Sequence, residues 1–171
     1  PKKNLIVYPL DLYECENCRL VQLKELAPLE NMYGSTYGYR TSLSPLMINH
    51  MKEKFNIIKK KKIISNAYQN ILDIGCNDGT FLNFFAKKGY KELYGIDPSA
   101  KKFECYHSKH IKLIPDFFSK KSIEKNFGCK KFQLITSFAM FYDIQNPNLF
   151  CRDIKGLLDK DGVWILELSY W

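Results

Sequence analysis

The sequence predicts an α/β fold: a doubly wound, mostly parallel sheet with a small β unit ahead of it. Three observations predict this. Ile71-Leu-Asp-Ile-Gly-Cys-Asn-Asp-Gly-Thr80 reads as a buried strand, a tight turn and the start of a helix. Ile71, Leu72 and Ile74 form the apolar run of a parallel strand covered on both faces, and Gly75 and Gly79 omit a Cβ where backbone turns sharply or meets a ligand. From residue 70 onward, apolar runs alternate with helical patterns over short connections, which implies right-handed crossovers. Gly89 and Gly128 fall just after two of the helical patterns, where a C-terminal cap wants φ > 0.

The elements follow in order. Residues 5–25 form a small β unit: Leu5-Ile-Val-Tyr-Pro-Leu-Asp-Leu-Tyr-Glu14 is a strand broken by Pro9, and Leu20-Val-Gln-Leu-Lys24 alternates. Between them Cys15-Glu-Asn-Cys18 is half of a zinc knuckle, two thiols able to face one metal. A tetrahedral site needs two more ligands and none is near. Free thiols or a redox pair rank below that reading. Residues 28–41 are turn-rich and aromatic, with Tyr33, Tyr37 and Tyr39 interleaved with Gly34 and Gly38; a packing linker is the plain reading, a cover over a ligand the functional one. Ser42 or Ser44 caps a helix with Pro45 in its first turn. Leu43, Met47, Met51, Phe55 and Ile58 give that helix one apolar stripe. Strands are expected near 70–75, 92–97, 111–114, 132–137 and 162–169, and helices near 79–88, 99–108, 119–127 and 146–159.

Size and charge bound the function. The 171 residues suit one domain with an appendage, and no apolar run reaches membrane-spanning length. Pro1–Leu10 lacks the apolar stretch and cleavage site of a signal peptide, and six cysteines without framework spacing argue for a reducing, cytoplasmic setting. The chain starts without Met, as a fragment does. The net charge of +8 reads first as a Lys-rich solvated surface and second as attraction to an anionic small substrate; scarce Arg and no Arg/aromatic RNA motif disfavour nucleic acid.

The chemistry concentrates at two strand ends. Asp97 closes Leu93-Tyr-Gly-Ile-Asp-Pro98, 22 residues after Gly75, where a carboxylate accepts both hydroxyls of a ribose. A dinucleotide loop would carry a second Gly at position 77, and Asn77 stands there; a Walker loop would need Gly-Lys-Ser/Thr. Asp73 and Asp78 would repel a pyrophosphate. They suit a cationic ligand without phosphate, such as a sulfonium carrying an amino acid.

Asp73-Ile-Gly-Cys-Asn-Asp-Gly-Thr80 with Gly95-Ile-Asp97 resembles motifs I and II of the Rossmann-like class I S-adenosylmethionine-dependent methyltransferases. Within them the chain resembles the sugar C-methyltransferase family. The further parts of that resemblance are Tyr8–Leu23, Tyr37-Gly-Tyr-Arg-Thr-Ser-Leu-Ser44 with His50, and Gly162-Val-Trp-Ile-Leu-Glu-Leu-Ser-Tyr170. It implies residues 1–41 as a partial zinc-binding segment and aromatic linker, with Cys15 and Cys18 as metal ligands. Residues 42–171 become a cofactor-binding methyltransferase domain that stops after its fifth strand. Asp73, Gly75, Cys76, Asn77, Asp78 and Gly79 would surround the methionyl part of S-adenosylmethionine, and Asp97 with Pro98 would hold the ribose. Asp116 and Phe117 would lie beside adenine, and Ser137, Phe138 and Ala139 would line the methyl-donor side. Tyr37, Ser42, Glu167 and Tyr170 would meet the substrate, a nucleotide-linked keto-deoxysugar.

The chain departs from that pattern in three places. It holds one Cys-x-x-Cys pair, and the other would precede Pro1. A His common after the fourth strand is replaced by Tyr142 and Asp143. The family's main acid/base residues, a Tyr-His-Glu-His run after the Glu167 and Tyr170 positions, would lie beyond Trp171. Tyr39 and Asp143 are the remaining candidates for catalysis. His50 reads as a solvated helix histidine, and His107 and His110 receive no role. The competing readings are a methyltransferase for RNA or another small molecule, and a non-catalytic zinc or cofactor-binding module.

Overall fold

The computed structural model describes residues 7–34 and 37–168. Its amino-terminal unit is a hairpin of β1 (Leu12–Glu14) and β2 (Val21–Leu23), paired antiparallel with Leu12 opposite Leu23. Leu5 and Ile6, at the start of the first expected strand, lie outside the described residues. The connection is closed by the Cys15 N–H donating to the Leu20 carbonyl at 2.9 Å and the Arg19 N–H donating to the Cys15 carbonyl at 2.8 Å, which sets the Cys-x-x-Cys at the tip. The short helix α1 (Leu29–Tyr33) interrupts the aromatic segment expected to be turn alone. Helix α2 (Pro45–Lys60) begins as its sequence requires: the Ser44 hydroxyl accepts the Met47 N–H and Pro45 occupies the first turn. Met51, Phe55 and Ile58 are its buried stripe, while Leu43 stands exposed before it.

Five parallel strands form the sheet: β3 (Ile71–Ile74), β4 (Leu93–Ile96), β5 (Ile111–Ile114), β6 (Phe132–Phe138) and β7 (Leu158–Glu167), in the order β5-β4-β3-β6-β7. Alternation of side chains splits the core in two. Ile71, Leu93 and Leu134 meet α2 and α3 (Thr80–Ala86) on one face. Leu72, Tyr94 and Ile135 meet Ile123 of α4 (Lys120–Phe127) and Phe150, Ile154 and Leu157 of α5 (Pro147–Leu157) on the other. Strand order reverses at β3, whose neighbours are β4 and β6, so the carboxyl ends of those three strands open a crevice.

Two expected elements differ. No α-helix occupies 99–108. Ala100, Lys102, Phe103 and Tyr106 donate their N–H groups to carbonyls three residues back, giving successive tight turns that end in a single 3-10 turn, Glu104–Tyr106. Strand β7 starts at Leu158, four residues early; Leu158 pairs with Phe132, and pairing resumes at Val163 opposite Leu134 after an irregular excursion. Gly162 sits in that excursion because a Cβ there would lie 2.6 Å from the Phe132 carbonyl oxygen. Among the described residues no helix is long and apolar enough to cross a membrane.

Candidate functional site

A cavity of about 430 Å³ fills the crevice. Its floor is the turn after β3. Gly75 (φ 75°) and Asn77 (φ 47°) both adopt left-handed backbone there, which aims the turn back beneath the cavity. Asp73, one residue before the end of β3, is 4% exposed and accepts a hydrogen bond from the Thr136 hydroxyl at 2.6 Å. Burial pushes its carboxyl up to about 7, the Thr136 bond works against that, and the Asp97 carboxylate adds to it. Burial likewise pushes the Cys76 thiol well above its ordinary value, with the neighbouring carboxylates adding, so Cys76 is a neutral wall.

Asp97 follows β4 with both oxygens engaged. One accepts the Asn77 N–H at 2.9 Å; the other accepts the Ser99 N–H at 2.7 Å and the Ser99 hydroxyl at 2.5 Å. Each oxygen has two lone-pair directions, so the first retains one for a ligand. Pro98, Asp116 and Phe117 border the same end of the cavity; Asp116 accepts from the Phe117 N–H at 2.8 Å and the Ser122 hydroxyl at 3.2 Å. Phe138 and Ala139 form the wall after β6. Ala139 is held at φ 50°, its N–H donating to the Glu167 carbonyl at 3.0 Å.

Tyr37, Tyr39 and Thr41 border the cavity from the amino-terminal segment, and Asp143 borders it beside them. The Tyr33 hydroxyl donates to Asp143 at 2.5 Å, and burial followed by that carboxylate drives the Tyr33 phenol well above its usual range. The Tyr37 phenol is raised by burial and then by Asp97. Glu167 enters the cavity from β7. Lys54 lies 2.5 Å from one of its oxygens and the His50 ring 2.9 Å from both. Burial works to raise the Glu167 carboxyl, but the bonds from Lys54 and His50 outweigh it and leave it below the ordinary glutamate range. His50 is therefore a half-buried partner of Glu167 and not a solvated helix residue, a correction the sequence could not supply because the pairing spans 117 positions.

Four of the expected residues do not border the cavity. Asp78 is turned toward the amino-terminal segment, accepting the Ser42 N–H at 2.9 Å and, on its other oxygen, the Thr80 N–H and hydroxyl. Burial would raise its carboxyl, but those bonds hold it below the ordinary range. Ser42 thus meets Asp78 through its backbone. Gly79 precedes α3 and lies against the His107 ring. Ser137 is fully buried and accepts the Trp164 indole N–H at 2.9 Å. Tyr170, expected to meet the substrate, and Trp171, expected to stand just before the main acid/base run, both lie outside the described residues. Cys15 and Cys18 sit at the hairpin tip away from the cavity, where the Cys18 and Asn17 backbone groups and then the Cys18 thiol hold the Cys15 thiol below its ordinary value. Among the described residues no group of three or more His, Cys, Asp or Glu side chains gathers as a metal site.

Thr136 and Ser99 were not anticipated, and Tyr33 was read only as one tyrosine of the aromatic segment, without its partner Asp143. Thr136 had a signal, a polar residue inside the apolar run Leu134-Ile-Thr-Ser-Phe138. The charged side chains that border the cavity are Asp73, Asp97, Asp116, Asp143 and Glu167, with no Lys, Arg or His among the described lining residues. A concave, aromatic lining of carboxylates suits a cation that carries hydroxyl groups better than a phosphate.

A family model described as a methyltransferase domain matches residues 43–171. Among curated proteins the chain is similar to the C-methyltransferase NovU of Streptomyces niveus, 22% identical over 167 residues that cover 96% of this chain and 39% of that protein. It is also similar to the tRNA U34 carboxymethyltransferase of Campylobacter jejuni subsp. doylei, 30% identical over 123 residues, 68% of this chain and 40% of that one. Among solved structures, the plantazolicin methyltransferase BpumL in complex with a pentazolic desmethylPZN analog and SAH aligns with a TM-score of 0.56 at 20% identity, covering 74% of this chain and 49% of that one, a likeness in fold. The chain thus spans about two fifths of the length of these curated relatives.

Proposed function

This chain belongs to the methyltransferase-domain family, and from that premise we propose that it binds S-adenosylmethionine in the cavity and transfers its methyl group. The observation that carries the proposal is the lining itself: five carboxylates and no cation among the described residues, with Asp97 at the end of β4 and a left-handed turn after β3. The cofactor fits that donor set, being a sulfonium and an ammonium with a ribose diol and no phosphate. When bound it supplies an electrophilic methyl. Asp97 accepts one ribose hydroxyl through the lone pair left free by Asn77, while Ser99 fixes the carboxylate plane. Asp116 and Phe117 take the base between a carboxylate acceptor and an aromatic edge. Asp73 provides a buried counter-charge on the methionyl side. Phe138 and Ala139 exclude water beside the reacting atoms, and Tyr39, Asp143 and Glu167 are the groups available to hold or move a proton on an acceptor.

Residues 1–41 serve as the amino-terminal segment and 42–171 as the cofactor domain. For the acceptor we favour a carbon beside a carbonyl in a nucleotide-linked sugar. The motifs along the whole chain support it, as does the similarity to the NovU C-methyltransferase across 96% of the chain. Any diphosphate of such a donor lies outside the anionic cavity. A base of tRNA is the second reading, supported by the similarity to the tRNA carboxymethyltransferase and by the net charge of +8. Zinc does not fit the described residues alone: Cys15 and Cys18 supply two thiols of a tetrahedral set. The free cysteines accord with action in the cytoplasm.

Titration calorimetry tests the cofactor. S-adenosylmethionine and S-adenosylhomocysteine should both bind, and Asp97→Ala should abolish the heat; binding that survives that substitution refutes the assignment. Methyl label offered with nucleotide keto-sugars or with bulk tRNA then separates the acceptors.

A further inference from the structure

The stretch Tyr37–Leu43 lies across the turn after β3 as a strap, and two side chains of that turn make three hydrogen bonds to its backbone. The Asn77 Oδ1 accepts the Thr41 N–H at 3.0 Å, and its Nδ2 donates to the Tyr39 carbonyl at 3.1 Å. The Asp78 Oδ2 accepts the Ser42 N–H at 2.9 Å, with the Arg40 Nε 3.9 Å from the same oxygen. Arg40 stacks on Tyr106 at 4.0 Å, and the Lys102 ammonium donates to the Tyr37 carbonyl at 2.9 Å. The strap is thus held by its backbone, in the way an added strand would be, although it forms no strand.

The geometry of Asn77 follows from this job. At its left-handed φ of 47° the side chain reaches the strap while its own N–H reaches Asp97. Both ends of the amide thus engage strap backbone, the oxygen also taking the Thr41 hydroxyl at 3.4 Å, which leaves one Nδ2 N–H without a strap partner. Asparagine is the residue that accepts this backbone at low cost and presents one donor and one acceptor side by side. Meanwhile Tyr37, Tyr39 and Thr41 of the strap border the cavity. The latch is therefore also the element that fixes the tyrosines over the ligand.

We propose that Asn77 is a positioning residue: it latches the 37–43 strap over the cavity, so that cofactor leaves only when the strap lifts. This rests on the cofactor reading above and names the control of that same site. Asp78 is the second attachment and Arg40 its cap.

The test uses Asn77→Gly and Asn77→Asp. Glycine keeps the left-handed turn free of strain, so the fold is retained while both latch bonds go. Aspartate keeps the acceptor for Thr41 but turns a carboxylate on the Tyr39 carbonyl. Stopped-flow displacement of S-adenosylhomocysteine should show dissociation faster by about 10- to 100-fold in the glycine variant, the worth of two lost hydrogen bonds. The aspartate variant should fall between, and association should be undiminished in both. Hydrogen exchange without ligand should show the Thr41 and Ser42 amides losing protection in the glycine variant while β3 and β6 keep theirs. Wild-type dissociation rates in Asn77→Gly, a loss confined to association, or unchanged protection of Thr41 overturns the latch. A wild-type protein that binds no S-adenosylhomocysteine overturns the cofactor reading instead, and the exchange arm still judges the latch.

Discussion

Replacing Asp73 with asparagine should stabilise the protein, and by an amount that depends on pH in a defined way. Asp73 is 4% exposed with one hydroxyl partner, Thr136, and burial lifts its carboxyl from 3.8 to about 7. In the unfolded chain the group loses its proton near 3.8; in the folded protein it keeps it until about 7. Between those values unfolding releases a proton, so the folded state loses stability as pH rises through the window. Below 3.8 both states are protonated and the group contributes nothing; above 7 both are ionised and the cost is constant. Three units at 1.36 kcal/mol each set an upper bound of about 4 kcal/mol. Asparagine does not titrate, so the stability difference between variant and wild type should climb by at most about 1.4 kcal/mol per pH unit across the window, then level off. Urea unfolding of both proteins near the foot, middle and top of that window measures it. A difference that is flat with pH would refute the claim that the buried carboxyl, and not some general effect of substitution, controls the change.

Other outcomes follow from the same geometry. Because a cation must meet Asp73 ionised, S-adenosylmethionine affinity should rise with pH up to about 7, by at most about tenfold per unit, and flatten above; calorimetry in two buffers also reads the released proton. Gly95→Ala would place a Cβ 2.7 Å from the Cys76 sulfur and 2.9 Å from Leu113, so it should cost about 1–3 kcal/mol in thermal or urea unfolding, part of it recovered by adding Cys76→Ala. Trp164→Phe removes the bond to buried Ser137 and should cost about 1–2 kcal/mol while leaving S-adenosylhomocysteine affinity unchanged, since neither residue borders the cavity. Cys15→Ser with Cys18→Ser should leave the unfolding midpoint of the sheet unchanged, because the hairpin tip packs on neither core cluster; a large drop would mean that the hairpin supports the domain.

The parts of the site that sequence made legible are those where one residue type has few alternatives. A strand ending in Asp-Ile-Gly, a left-handed turn and a carboxylate closing the next strand are demanded locally, and the structure places Asp73, Gly75 and Asp97 on one cavity. What local pattern could not show was facing and register. Ser137 and Thr136 are adjacent hydroxyls in one buried strand; the register sets Thr136 opposite Asp73 and sends Ser137 to the other face, toward Trp164. One residue of slip would exchange them, and nothing in the sequence near 136 specifies that slip. The missing helix at 99–108 has a similar origin. Its turns are tied to a distant segment through Arg40 on Tyr106 and Lys102 on the Tyr37 carbonyl, contacts that helical periodicity does not encode.

Backbone, more than side-chain identity, shapes the cavity. The three left-handed residues that border it, Gly75, Asn77 and Ala139, follow the carboxyl ends of β3 and β6, the adjacent strands at which the sheet order reverses. Ala139 bears a cost for that conformation that glycine does not, of about 1–2 kcal/mol. Its N–H is fixed to the Glu167 carbonyl, and the chain it redirects carries Met140, Tyr142 and Asp143 back along the cavity wall. Met140 then packs 3.5 Å from where a Cβ on Gly75 would stand. A side chain at Gly75 is opposed by its φ, while Met140 would meet its Cβ in ordinary van der Waals contact. An alanine that keeps a strained conformation beside a cavity, where neighbouring glycines show that the strain could be avoided, is held there by its surroundings. Those surroundings are the Glu167 carbonyl and the packing of Met140 beside Gly75, which tie the turn after β6 to β7 and to the turn after β3.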